Sequence, residues 1–228
     1  MSHIAVAEQV QVDILKFVQQ FEQDFKQAHQ LLLKSKTLSV TEAGNLSLRV
    51  PGEDKLVIAS FNGAGHGVAG VVDFDLNSHI GTLSPSLAEV AALHIAILRE
   101  RPQTNAVIHT HSPYLTAWSI AGRPLPVSYA TLLGHGTDDV PLAAWGARYA
   151  AEPVIASLQA HPNAYATLLA NHGPFTWADS VLGVAKQLVF LEEAAYFTFL
   201  AEQLGGAKPL PEGAFEAVQA GKKKFYAA

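Results

Sequence analysis

Residues 105–113 read Asn-Ala-Val-Ile-His-Thr-His-Ser-Pro, and residues 171–175 read Asn-His-Gly-Pro-Phe. In the first stretch the apolar run Ala106-Val107-Ile108 has the character of a buried strand and delivers two histidines spaced by one residue. Side chains alternate faces along a strand, so His109 and His111 emerge on the same face and can reach one ion. In the second stretch Gly173 and Pro174 break an apolar run and present His172 at its tip. Three imidazoles suit Zn²⁺, with Mn²⁺ or Co²⁺ as other divalent candidates, and three protein ligands leave one coordination position open for substrate. A lone histidine is ordinarily satisfied by hydrogen bonds, but two unmatched imidazoles on a buried strand would carry a polar cost with nothing to offset it. The remaining histidines, at positions 3, 29, 66, 79, 94, 135 and 161, lack a partner at ligand spacing, although His66 and His135 sit in glycine-rich loops that could reach a site.

Outward from this core, Val10 to Leu32 repeats apolar residues at intervals of three and four, which predicts an amphipathic helix. Leu46–Val50 and Lys55–Ser60 read as strands joined by the turn Pro51-Gly52-Glu53-Asp54. Four glycines between Gly63 and Gly70 precede a strand from Val71 to Asp75. Ser86 to Arg101 reads as a helix stopped by Pro102, followed by the histidine strand and a short helix from Pro113 to Ala121. A helical region around Ala143 to Gln159, interrupted at Pro153, a strand from Ala164 to Ala170 and a long helix from Ser180 complete the order. No repeat or linker divides the chain, so residues 1–228 are expected to form one domain, with a helical segment at 1–40 packed on it and a tail at 206–228.

Composition narrows the functional classes. The 228 residues suffice for one α/β core, and the absence of cysteine excludes disulfides, thiol catalysis and thiolate metal sites. A net charge of −5 without a basic stripe argues against nucleic acid. Met1–Ala7 lacks the features of a signal peptide, and Lys186, Glu192 and Glu193 interrupt the most apolar helix, so a cytoplasmic protein with no membrane span is expected.

In this order the motifs resemble the class II aldolase/adducin family, which includes L-fuculose-phosphate aldolase and L-ribulose-5-phosphate 4-epimerase. The carriers are Gly44-Asn45-Leu46-Ser47, Val71-Val72-Asp73-Phe74-Asp75, Arg101-Pro102, Asn105 through Pro113, and Asn171-His172-Gly173-Pro174-Phe175. The resemblance implies a three-layer α/β/α fold around a central, mainly antiparallel sheet, assembled as a homotetramer with active sites at subunit interfaces. It implies that His109, His111 and His172 hold zinc and that Glu89 handles protons. The implied chemistry is cleavage or formation of a carbon–carbon bond in a hydroxy-ketone, aldehyde or sugar phosphate through a metal-stabilised enediolate. Epimerase, decarboxylase and dehydratase chemistries share that logic, while an adducin-like interaction module would keep the fold without catalysis. A structural zinc would instead close the fourth position with Glu89.

Three features qualify the site. Ser86-Leu87-Ala88-Glu89 also fits a capping box, which would engage Glu89 at a helix start. The family's two hydroxyl residues before the acid are Leu87 and Ala88 here, so substrate or anion contacts fall to Gly44, Asn45, Asn62, Gly63 and Ser86. The resemblance also offers Tyr226, in the C-terminal tail, and Tyr129, after Pro126, as proton donors, and it finds no acid in the stretch 129–133 where epimerases carry one.

Overall fold

A computed structural model describes residues 13–61, 67–136, 138–146 and 150–226. Eight strands form one sheet in the order β4-β3-β2-β1-β5-β8-β7-β6. They are β1 (Gly44–Arg49), β2 (Lys55–Ser60), β3 (Gly67–Asp73), β4 (Ser78–Gly81), β5 (Ala106–Thr110), β6 (Leu142–Ala143), β7 (Ala166–Leu169) and β8 (Gly173–Ala178). Every pairing is antiparallel except β6 with β7.

Helices cover both faces, giving the expected three layers. The helices are α1 (Ile14–Lys34), α2 (Pro85–Glu100), α3 (Pro113–Ile120), α4 (Ala151–Ala160), α5 (Val181–Gln203) and α6 (Ala214–Tyr226). Helices α1 and α3 pack on α5 over one face, and α2 packs on α4 over the other. The strand pleat sorts residues between the two layers: Ala106 and Ile108 of β5 join the core that includes Phe21, Phe25 and Leu188, whereas Val107 joins the core with Leu93, Phe175 and Trp177. His109 and His111 share the face of Val107, the side covered by α2.

Several boundaries differ from the sequence expectation for physical reasons. Helix α2 starts two residues earlier than a Ser86 cap would place it. Ser84 accepts from the Leu87 amide and Pro85 takes the first helical position, where its missing N–H costs nothing. The Ser86–Glu89 capping box is therefore not formed, and Glu89 lies beyond the capped turn. Pro153 does not interrupt a helix but sits in the first turn of α4, where an amide has no partner to lose. Ala143 belongs to β6 rather than to a helix. Strands β4 and β8 were not expected, and the segment 206–228 contains α6, which docks through Gln219 and Lys222 on the carbonyls of Leu133 and Gly134.

Two buried groups tie the layers together. Gln187 of α5 donates to the carbonyls of Tyr165 and Trp177. Glu192 of α5 accepts from the amides of Tyr114 (2.7 Å) and Leu115 (2.9 Å). Ser112 makes no side-chain cap at the start of α3, so a carboxylate from another helix supplies the missing acceptors.

The seam between β1 and β5 leaves no room for a side chain at Gly44, because a Cβ there would stand 2.6 Å from the His109 carbonyl oxygen. Gly44→Ala is expected to destabilise the protein by roughly 1–3 kcal/mol through this overlap. Gly221→Ala, in open space on α6, should stabilise by about 0.5–1 kcal/mol; opposite shifts in chemical denaturation midpoint would verify the contrast. Burial pushes the Glu192 carboxyl from 4.5 up to about 7 against the pull of its two amide donors. The folded chain then keeps a proton that the unfolded chain has released, so stability from this group is full below about 4.5 and is lost as pH rises through 7. The stability deficit of Glu192→Gln relative to the parent should accordingly narrow between those pH values in paired melts.

Candidate metal centre and active site

Two strand ends carry the histidines. His109 lies within β5 and His111 just past it, while His172 immediately precedes β8, the next strand in the sheet. Asn171 adopts a left-handed conformation (φ 59°), which asparagine tolerates better than most residues, and the His172 amide closes the turn on the Leu169 carbonyl. Gly173 follows because a Cβ there would approach the Thr110 carbonyl oxygen to 2.6 Å. The glycine thus lets His172 come down beside the end of β5.

The three rings converge. Centroid separations are 5.3 Å for His109–His111, 4.8 Å for His109–His172 and 5.1 Å for His111–His172. One nitrogen from each lies within 4.8 Å of the others. Tetrahedral nitrogen ligands about 2.0–2.1 Å from zinc stand roughly 3.3 Å apart, so a modest inward closure brings these atoms to ligand spacing. Among the described residues no carboxylate joins the group.

The protonation state fits a metal as well. His109 is 1% exposed, and its Nδ1 lies 2.9 Å from the Pro174 carbonyl oxygen. A carbonyl only accepts, so Nδ1 bears the hydrogen and Nε2 is left with its lone pair. That Nε2 is buried with no hydrogen-bond partner. Burial depresses the pKa of all three imidazoles, and the proximity of His172 and then His111 lowers that of His109 further. The result is a set of neutral nitrogen donors, one of them orphaned in the absence of an electrophile.

The other expected residues distribute unevenly. Asn45 is directly opposite His109 in the β1–β5 register, on the same face, and its Oδ1 is buried without a partner. Gly44 precedes it. Ser86 is exposed and bonds Ser84. Glu89 is exposed on α2 and stands outside the histidine group. The Tyr129 hydroxyl donates to Glu193 (3.2 Å), and its ring meets Phe197 edge-on, so its contacts are with α5. His135 is likewise held by Gln187 of α5, away from the histidine face. Asn62, Gly63 and His66 lie outside the described residues, as does the Tyr226 side chain. The residues flanking the site that sequence reasoning did not single out are Ser47, His94 and the carbonyl of Pro174. Their only signal is period-two spacing from Asn45 and a histidine on the buried face of α2.

The class II aldolase and adducin N-terminal domain model matches residues 24–199. The 5-methylthioribulose-1-phosphate/5-deoxyribulose-1-phosphate aldolase of Rhodospirillum rubrum is 32% identical over 125 residues, or 55% of this chain and 57% of that protein. The methylthioribulose-1-phosphate dehydratase of Sorangium cellulosum is 31% identical over 169 residues, 66% of this chain and 78% of its own length. The first of these relatives is thus spanned over little more than half its length. A solved L-fuculose 1-phosphate aldolase structure superposes with a TM-score of 0.75 at 26% identity, covering 90% of this chain and 97% of that one. Because the matched residues run from α1 through most of α5 and take in every strand that builds the histidine cluster, this chain belongs to the class II aldolase/adducin family.

Proposed function

We propose that this chain is a divalent-metal-dependent aldolase that cleaves or forms a carbon–carbon bond in a small sugar or sugar phosphate. The observation that carries the reading is the convergence of three neutral imidazoles, with the buried Nε2 of His109 unpartnered. His109, His111 and His172 hold the ion, with zinc expected ahead of Mn²⁺ or Co²⁺. Bound there, it supplies Lewis acidity to neighbouring carbonyl and hydroxyl oxygens of a substrate.

The chain's own groups do the rest. Asn45 faces the cluster from β1 and orients a substrate hydroxyl or anion, with Gly44, Asn62, Gly63 and Ser86 completing the binding surface. Glu89 takes the proton, and Tyr129 or Tyr226 returns one. The chain acts as a single domain in a cytoplasmic homotetramer with active sites at subunit interfaces. No helix among the described residues is long and apolar enough to cross a membrane. A second reading, dehydration of the same substrate class, draws support from the Sorangium cellulosum relative.

Elemental analysis of the purified protein should give about one divalent ion per chain, and His109→Ala with His111→Ala should remove it. Chelation should abolish retro-aldol cleavage across a panel of phosphorylated and free ketoses. Water loss without cleavage would move the assignment to a dehydratase, and a metal-free chain under replete conditions would overturn the enzyme reading. Glu89→Gln should keep the metal and lose turnover by about 10²-fold or more if the residue transfers the proton; retained turnover would remove it from that role.

A further inference from the structure

The His109 ring is held by more than its hydrogen bond. Phe175, its register partner on β8, stacks on it with centroids 4.2 Å apart and planes 14° from parallel. Phe175 is fully buried, and His94 of α2 meets it edge-on at 6.2 Å and 83°. His94 is itself fully buried and fixed through Nδ1 to the Ser47 hydroxyl of β1, 2.8 Å away. The four side chains form a continuous brace across β1, α2, β8 and β5, all on the face that presents the ligand nitrogens.

This arrangement constrains one particular degree of freedom. The Nδ1–H to Pro174 contact fixes the tautomer of His109, but one hydrogen bond leaves a broad sp³–sp² torsion free to rock. A flat ring lying against the imidazole face blocks that rocking. The Nε2 lone pair is then aimed before any ion arrives, and the ordering cost of binding is already met by the fold.

We propose that Phe175 is a positioning residue for the metal centre, orienting His109 by face-to-face stacking and itself held in place by His94 and Ser47. The proposal rests on the reading of His109 as a ligand. Loss of partners that orient a ligand typically weakens metal binding 10- to 100-fold. An apolar side chain without a flat face, as in Phe175→Leu, is therefore expected to weaken Co²⁺ binding by about that factor.

The test is Co²⁺ titration of the full chain, following visible d–d absorption and chelator competition, with thermal melts alongside. Phe175→Met serves as a second variant should Phe175→Leu not fold, since methionine fills irregular space flexibly. Leu56→Ala, in the same core layer on β2, is the control for simple loss of packing. The expected result is weakened affinity and an altered cobalt spectrum in the Phe175 variants, with Leu56→Ala destabilised yet spectrally and thermodynamically unchanged toward Co²⁺. Parental affinity and spectrum in the Phe175 variants, or an equal loss in Leu56→Ala, would overturn the positioning role alone. Absence of Co²⁺ binding in the parent would overturn the metal reading, and the proposal with it.

Discussion

The hydrogen bond from His109 Nδ1 to the Pro174 carbonyl is the contact on which this architecture converges. It joins the neighbouring strands β5 and β8 at the point where the ladder between them ends, since His109–Phe175 is the last registered pair of the two. It also resolves a conflict intrinsic to the sequence. A proline has no amide to give a sheet, and a buried histidine has two nitrogens to satisfy. Placing Pro174 one residue beyond the last β5 pair turns its carbonyl toward the imidazole, so one nitrogen is satisfied and the other is reserved.

Around that contact the site is assembled by close approach. Gly44 and Gly173 flank the end of β5 from its two neighbouring strands, and each would drive a Cβ to 2.6 Å from a β5 carbonyl oxygen. The three strands therefore approach closely at the level of the histidines. On the far side Glu192 reaches from α5 to the amides of Tyr114 and Leu115, three and four residues past His111, and fixes how the chain leaves the site. The arrangement of the three histidines is thus flanked by backbone packing on one side and by a buried carboxylate on the other.

Apolar runs, the three-and-four spacing of α1 and the Pro and Gly residues at element ends made the histidine strand, the β1–β2 hairpin, α1, α3 and α5 legible in the sequence. What escaped has identifiable causes. Strand β4, Ser78–Gly81, is four residues long and exposed at three of them, so it shows no alternation. Strand β8 opens Gly-Pro, a pair that signals a break wherever it is read without its neighbours. The cap of α2 was placed two residues late because Ser84 and Ser86 offer the same cap chemistry, and only Pro85 decides between them. Within the candidate site, the histidine trio was readable because one strand and one turn supply it. The Phe175–His94–Ser47 brace was not, since its members meet only through tertiary packing across three elements.

The sheet ends on very short strands. Strand β6 has two residues and pairs in parallel, and β4 has four, three of them exposed. Such edges present few free backbone groups to another strand, so the sheet does not invite extension by a neighbouring chain. A protein whose interior strands are this apolar is thereby protected from edge-to-edge growth, and its crowded central seam can be built for chemistry without becoming a template for aggregation.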